Sequence, residues 1–296
     1  MNSSVAIILI NWNNSDYTIE CIKSLNKTSY GNKKIFIVDN NSNDNSVKKI
    51  KNFFPNIDLT VNNENLGFTG ANNIGIKKAL KEKFDFIMLL NNDTIVESKF
   101  IEPLILSFDK NTGAVQPKIL NYPDKDYVWS AGGHINYFFG TFISRHKNKK
   151  NNNKNYENCN WVSGCCFFIS SSVLRKVGFL DEKFFVYYED VDLSIRLTEL
   201  NYNLKLVNNS VIYHHEGASW KSKKKRFQGP LSPITHYLRM RNHIYLIKKH
   251  KNKFNVIGVL LNQFFKIFIY SIYFILKLRF CKLKMMLKGV VDSLKY

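Results

Sequence analysis

Four stretches of this chain bring together residue types that handle cations, phosphates and hydroxyl protons. Asn91-Asn92-Asp93 directly follows an apolar run over 86–90. Asp39-Asn40-Asn41 follows a second apolar run, and Asn11 ends a third. Oxygen-rich side chains of this kind suit hard divalent cations and the groups those cations neutralise. A strand-like run ends in His214-His215-Glu216. A His in such a place is a metal or phosphate contact, although a lone His is more often structural. Finally, the segment 181–192 reads D-E-K-F-F-V-Y-Y-E-D-V-D, with acids set among aromatics. A carboxylate there can act as a general base. It can also be a helix cap: Asp190 can cap the helix-like L-S-I-R-L-T-E-L that follows, with Asp192 favouring its positive end. That reading explains one acid well, but not two adjacent ones behind an aromatic wall.

The elements that must hold these groups alternate. Apolar runs predict strands over 5–10, 34–38, 59–61 and 86–90. Helices are expected from Ser15 or Asp16, as the cap, to about 25, then over 46–54 and 70–82. Strand–helix alternation with short connections implies a parallel sheet with right-handed crossovers. In open α/β sheets, ligands sit beyond the carboxyl ends of the strands, where Asn11, Asp39 and Asp93 fall. Any one of these loops is equally an ordinary turn. Three on one rim point to a ligand rich in hydrogen-bonding groups. From 113 to about 160 the pattern turns irregular, with a polar surface excursion over 146–155. Order returns at Trp161-Val162-Ser163-Gly164.

Composition narrows the class. With 296 residues and 45% apolar content, the chain can build a full core. No G-x-G-x-x-G follows the first strand and no phosphate-loop motif occurs, which disfavours dinucleotide oxidoreductases and P-loop enzymes. Five cysteines without a C-x-x-C argue against a zinc site or a disulfide framework, and for a reducing compartment. The opening M-N-S-S lacks the charged start and cleavage site of a signal peptide. The net charge of +20 is unevenly placed. Residues 217–296 hold 18 Lys and Arg against one acid, Asp292.

Taken in order, these motifs resemble family 2 glycosyltransferases, and within them the rhamnosyltransferase-like branch. The matching pieces are I-L-I-N-W-N-N (8–14), I-V-D-N-N-S (37–42), N-L-G-F-T-G-A-N-N-I-G (65–75) and L-L-N-N-D (89–93). W-V-S-G (161–164), G-F-L-D-E-K-F-F-V-Y-Y-E-D-V-D (178–192) and H-H-E-G-A-S (214–219) follow. The likeness covers roughly 5–220; beyond it only Y-L-R-M-R-N (237–242) matches well.

The resemblance implies a glycosyltransferase A-type fold, Rossmann-like with a mostly parallel central sheet. It also implies an inverting, metal-dependent transfer of a sugar from a nucleotide-diphosphate donor to a glycan or lipid-linked glycan acceptor. Asp93 holds the place of the family's metal ligand, with Asn91 where a first acid usually stands; His214 matches the downstream His. These would hold Mg²⁺ or Mn²⁺. Asp190 maps to the base, and Glu189 would orient the acceptor. Asp39 matches the acceptor of a pyrimidine hydrogen bond, with Asn11 beside base and ribose. Asn65, Gly67, Asn91 and Asn92 complete the expected donor contacts, and Trp161 and Gly164 begin the acceptor side. The first-choice donor is dTDP-L-rhamnose; a UDP-sugar is the alternative.

The tail adds a second expectation. Residues 254–277 are long and apolar enough to cross a bilayer. On a helix, however, Asn255, Asn262, Lys266 and Lys277 fall within about 60° of one another, and Lys284 and Lys288 extend that stripe if the helix continues. Lysines also flank both ends. The reading is a helix lying in the interface at the cytoplasmic face of the cell membrane, against an anionic surface. The competing reading is a helix packed on the catalytic domain. The expected division is therefore a catalytic domain over 1–220 and a basic helical region over 221–296. A nucleic-acid partner is not expected, because the aromatics sit in apolar runs rather than between basic residues. A nucleotidyltransferase ranks low without a Gly-rich triphosphate loop.

Overall fold

The structure is a computed structural model that describes residues 2–151, 159–215 and 231–295. The chain divides into two compact units. One comprises 1–134, 144–185 and 189–219; the other comprises 135–143, 186–188 and 220–296. Residues 152–155 of the expected surface excursion and 216–219 of the H-H-E-G-A-S motif lie outside the described residues.

The first unit follows the alternation in the sequence. Strands β1 (Val5–Asn11), β2 (Lys33–Asp39), β3 (Asp58–Val61) and β4 (Phe86–Leu90) alternate with helices α1 (Ser15–Asn26), α2 (Ser46–Phe53) and α3 (Gly67–Lys81). Then come β5 (Thr94–Val96), α4 (Ile101–Leu106), β6 (Thr112–Asn121) and β7 (Val128–Ser130); the strands β8 (Gly133–Asn136) and β9 (Thr141–Ser144) after them pair with each other and fall largely in the second unit's segment 135–143. They are followed by β10 (Cys166–Ser170), α5 (Ser171–Val177), α6 (Glu189–Glu199) and β11 (Asn203–His214).

The main sheet runs β3-β2-β1-β4-β10-β6-β11-β5, with β7 on β6. Its β3-β2-β1-β4 half is parallel. The other half is mixed: β10 runs antiparallel to β4 and β6, β11 is parallel to β6, and β5 is antiparallel to β11. Both faces are covered, which is why β1 is apolar up to its last residue, Asn11. Val5, Ile7 and Leu9 pack with α1, α2 and α4, while Ala6 and Ile8 pack with α3, α5 and α6.

Three expectations need correction. Helix α1 follows Asn13 and Asn14, both left-handed at φ 58 and 53, so neither Ser15 nor Asp16 caps it. Helix α3 starts at Gly67, a turn earlier than expected. The irregular reading from 113 onward is overturned most fully, since β6 is buried at every position but its last. Gln116 and Pro117 hide this strand in the sequence. Gln116 is fully buried because its Oε1 accepts from the Ser163 amide at 2.8 Å. Pro117 needs no donor on one side because β6 pairs with β10 only at Ala114 and Val115.

The second unit is helical. Helix α7 (Pro233–Lys249) is capped by Ser232, whose side chain accepts from the Thr235 amide; α8 (Val256–Leu276) and α9 (Phe280–Ser293) follow. Met240, Phe274 and Met286 form its core. The inner segments 135–143 and 186–188 go with these helices rather than with the first 220 residues. Asn242 donates to the Val186 and Tyr187 carbonyls at 2.8 and 3.1 Å, and the Asn255 amide donates to the Tyr137 carbonyl at 3.0 Å. The lysine stripe does not continue as one helix, because α8 stops at Leu276 and α9 begins separately.

Candidate active site

Strands β1, β2 and β4 deliver their polar ends to one edge of the sheet, and hydrogen bonds link those ends into a chain. Asn92 donates to Thr18 Oγ1 at 2.7 Å, and Thr18 donates to Asn11 Oδ1 at 2.7 Å. Asn11 donates in turn to Asp39 Oδ2 at 2.7 Å. Ser42 closes the chain, giving its hydroxyl to Asp39 Oδ2 at 2.7 Å and its amide to Oδ1 at 2.9 Å. Asn11 and Asp39 are both fully buried. These two side chains, expected beside the base and ribose, lie in the bonded network at the carboxyl ends of β1 and β2 and brace it. Asn41, left-handed at φ 61, starts the turn that brings Ser42 back onto the carboxylate.

A neighbouring network organises the 62–67 loop around Asn40, a residue with no distinguishing signal in the sequence. Asn40 accepts from Asn62 and from the Leu66 amide, and donates to Asn65 Oδ1 at 2.8 Å and the Gly67 carbonyl at 3.0 Å. Asn65 also accepts from the Gly67 amide at 2.9 Å. Gly67 has φ 70, and a Cβ placed there would lie 2.4 Å from the Phe185 carbonyl. The missing side chain thus makes room for Phe185.

The Asp93–His214 pair is assembled by strand register. β5 pairs antiparallel with β11, with His214 opposite Thr94. That pairing brings His214 beside Asp93, 121 positions earlier, with Nε2 3.0 Å from Oδ1. Asn91 Nδ2 lies 3.4 Å from the same ring nitrogen. The His215 amide donates to the Asp93 carbonyl at 2.9 Å, and Trp129 packs edge-on against the His214 ring with centroids 4.4 Å apart. Among the described residues no third His, Cys, Asp or Glu joins the pair. The donor set still fits a divalent cation. One carboxylate oxygen and one imidazole nitrogen 3.0 Å apart match neighbouring ligands with metal bonds of about 2.1 Å. His214 Nδ1 is buried with no partner among the described residues. A two-residue grip leaves coordination positions for phosphate oxygens and water.

Asp190 sits at the start of α6 with both carboxylate oxygens engaged from behind. Gly164 donates its amide to Oδ2 at 2.8 Å, and Val191 donates to Oδ1 at 2.8 Å. Burial raises its pKa above the ordinary carboxylate value, and the amides of Gly164 and Val191 pull the other way. The Phe68 ring faces the same glycine. Gly164, expected on the acceptor side, thus anchors Asp190 through its amide.

Cys165 ties the two halves of the site together. Its carbonyl accepts from the Asn91 amide at 2.9 Å. Its thiol is pushed well above the usual value, by burial first and then by the charge of Asp93, with Asp190 adding to it. A thiol held neutral in this way is not a nucleophile, and the neighbouring Cys166 is likewise a buried free cysteine.

The remaining expected residues divide. Glu189 is buried beside Asp190 in the first turn of α6. Asp192 is fully buried and binds Arg196 Nε at 2.9 Å, while the guanidinium also holds the Val177 and Phe179 carbonyls at 2.7 Å. Asp192 is thus part of a buried brace, and it stands in the first turn of α6. Trp161 lies against Gly133, where its ring fills the space a side chain would take, and its indole nitrogen is buried without a partner. No described bond joins it to Asp93 or Asp190.

The family described as glycosyl transferase family 2 matches residues 6–178, more than half of the chain. Among curated proteins, the chain is 26% identical over 209 residues to the low-salt glycan biosynthesis hexosyltransferase Agl10 of Haloferax volcanii. That match covers 69% of this chain and 64% of Agl10, so it spans less than two thirds of that relative. The chain is 24% identical over 242 residues to the N-acetylglucosaminyl-diphospho-decaprenol L-rhamnosyltransferase of Mycobacterium tuberculosis, covering 74% and 78% of the two chains. Among solved structures, GalNAc-T7 with UDP, GalNAc and Mn²⁺ superposes with a TM-score of 0.61 at 15% identity, over 83% of this chain and 48% of that one. At that identity the likeness is one of fold, and the fold is the glycosyltransferase A type.

Proposed function

The chain belongs to glycosyl transferase family 2, and from that premise we propose that it transfers a sugar, with inversion, from a nucleotide-diphosphate donor to a hydroxyl of a growing glycan. One observation carries the reading: two adjacent residues bond to both acid-bearing stretches, the Gly164 amide donating to Asp190 Oδ2 at 2.8 Å and the Cys165 carbonyl accepting from the amide of Asn91, two residues before Asp93, at 2.9 Å.

Asp93 and His214 would hold a Mg²⁺ or Mn²⁺ ion. When bound, such an ion neutralises the charge that develops on a departing diphosphate. The rest falls to the chain itself. Asp190 takes the proton of the acceptor hydroxyl as its oxygen attacks the anomeric carbon, while the nucleoside diphosphate leaves from the opposite face. The raised pKa makes this carboxylate a stronger base than an exposed one, and the Gly164 and Val191 amides fix its orientation. Glu189, the preceding residue of the helix, would orient the acceptor. Asn91 reaches His214 and stands where it can meet a phosphate or ribose oxygen. The bonded chain from Asn92 to Asp39 keeps the donor side of the rim rigid before the donor arrives.

The favoured donor is dTDP-L-rhamnose, supported by the rhamnosyltransferase named among the relatives. A UDP-sugar is the second reading, favoured by the UDP that accompanies the fold neighbour GalNAc-T7 in its crystal structure. The lipid-diphosphate acceptor named for the M. tuberculosis relative makes a lipid-linked glycan the favoured acceptor. The deciding experiment is thermal stabilisation by a panel of dTDP-, UDP- and GDP-sugars, with and without Mn²⁺. The reading expects one donor class to raise the melting temperature, and more so with the metal. No stabilisation and no transfer across the panel would refute it.

A further inference from the structure

Helix α8 is inside out. Its buried residues are Gly258, Val259, Gln263 and Phe274. Its polar positions face protein: Asn262 donates to the Phe139 carbonyl at 2.9 Å, Gln263 bonds the buried His243, and Lys266 is half-buried. Burial brings the Lys266 pKa down to about 8, with Arg239 adding to the effect. Gly258 lies so close to Phe138 that a Cβ would come within 2.3 Å of its carbonyl oxygen. The opposite face carries large apolar side chains in the open, with Ile257 71%, Phe264 63% and Phe268 54% exposed. Eighteen of the 28 exposed large apolar residues among those described fall in 256–294. Monomeric soluble proteins rarely leave so concentrated an apolar surface uncovered.

We propose that the outward face of α8, continued by α9, is a surface that enters one leaflet of an anionic membrane without crossing it. Three features select that occupant. The first is charge. Residues 231–295 carry thirteen Lys and Arg against the single acid Asp292, and Lys277, Lys284 and Lys288 are exposed around the apolar face. Anionic headgroups complement that rim, whereas a second copy of the chain would bring two such rims together. The second is the inward polar stripe. Asn262 is bonded to backbone of its own unit, so the two sides of α8 differ: protein on one, open apolar surface on the other. A spanning helix needs lipid or partner helices all round. The third is a cluster of cations near the C-terminal end of α8. The His236 ring packs on Phe274 with centroids 5.0 Å apart, and Arg279 donates to the Tyr273 hydroxyl at 2.8 Å. Burial and the charges of Lys282, Arg239 and Arg279 bring the His236 pKa down to about 4. A lipid phosphate would relieve that repulsion. The sequence points to a helix in the interface with its lysines toward headgroups; the structure turns Lys266 inward and leaves that task to the flanking lysines.

The test is flotation of the full-length protein with phosphatidylcholine vesicles containing or lacking 30% phosphatidylglycerol. Wild type is expected to float with the anionic vesicles and to be released at high salt or by alkaline carbonate. The variant Ile257→Glu/Phe264→Glu/Phe268→Glu alters only exposed positions and should lose binding at least about tenfold. Lys284→Gln/Lys288→Gln should lose roughly twentyfold on anionic vesicles and little on neutral ones. Circular dichroism and transfer activity in detergent serve as folding controls for both variants. Any of three results would overturn the inference: no flotation of wild type, flotation unaffected by the three glutamates, or resistance to carbonate extraction, which means a span. A stable dimer in solution that the glutamates dissociate would likewise assign the face to a second copy. None of these outcomes bears on the catalytic reading, which the nucleotide-sugar panel tests separately.

Discussion

Asn11, Asp39 and Asp93 are polar and almost wholly buried, whereas Ile257, Phe264 and Leu276 are apolar and more than half exposed. The first group belongs to the catalytic unit and the second to the C-terminal helices. Each inverts the usual rule that polar groups face water and apolar ones do not. At the rim, burial is tolerated because every donor in the Asn92–Thr18–Asn11–Asp39 chain has an acceptor within 2.7 Å. On α8 no such compensation exists within the described unit. The contrast separates two kinds of readiness. The rim is already organised, so ligand binding there need not order it. The helix face leaves its large apolar side chains uncovered among the described residues.

The largest expected effect tests whether the rim is catalytic at all. Asp190→Asn should lower turnover by about 10²–10⁴-fold while leaving donor-induced thermal stabilisation intact. Near-normal turnover in that variant would remove Asp190 as the base. The same residue sets a pH signature. Its pKa is raised in the fold, so the acid limb of the rate profile should lie above the ordinary carboxylate range. By linkage, its protonated form contributes stability below the ordinary value, and that contribution is lost as pH rises through the raised one. Asp190→Asn should therefore flatten this decline in pH-dependent melting curves.

Asp93→Ala comes next. Metal titration of donor binding should weaken by at least about tenfold, since only His214 would remain of the pair. An unchanged titration would reject the pair as a metal grip. Asn11→Ala probes the bracing. It strips a donor from the fully buried Asp39 and should cost about 1–3 kcal/mol of stability, read by denaturant unfolding. A cost near zero would mean the network is incidental. The smallest effect is the sharpest comparison: Phe264→Ala should change solution stability by less than about 0.5 kcal/mol, although its ring is as large as that of the fully buried Phe168. A loss of several kcal/mol would show that the helix face is packed in solution after all.

Much of this is legible in order along the chain. The β1, β2 and β4 runs, the polar residue after each, and the acids at 189–190 all follow from local apolar patterning and residue type. What stays hidden has identifiable physical causes. Strand β6 carries Gln116, Pro117 and Lys118, so its burial depends on what the neighbouring loop and strands offer, such as the Ser163 amide that Gln116 meets. Asn40 looks like any turn residue until the 62–67 loop folds over it. The aromatic wall at 184–188 draws attention to Asp190, yet the aromatic ring found beside its anchor Gly164 is Phe68, more than a hundred residues earlier.

The sequence by itself determined which groups were available: one acid after the fourth strand, a histidine at the end of the last, a carboxylate pair before a helix, and a long apolar helix with a polar stripe. These are properties of residue type and spacing, and hydrophobic periodicity reads them directly. Tertiary structure alone decided who meets whom. The antiparallel pairing of β5 with β11 puts His214 opposite Thr94, and a shift of one residue would have turned its ring to the other face of the sheet. Packing likewise decided which side of α8 the protein would keep. Both outcomes depend on contacts between residues far apart in the chain, and no local pattern encodes those.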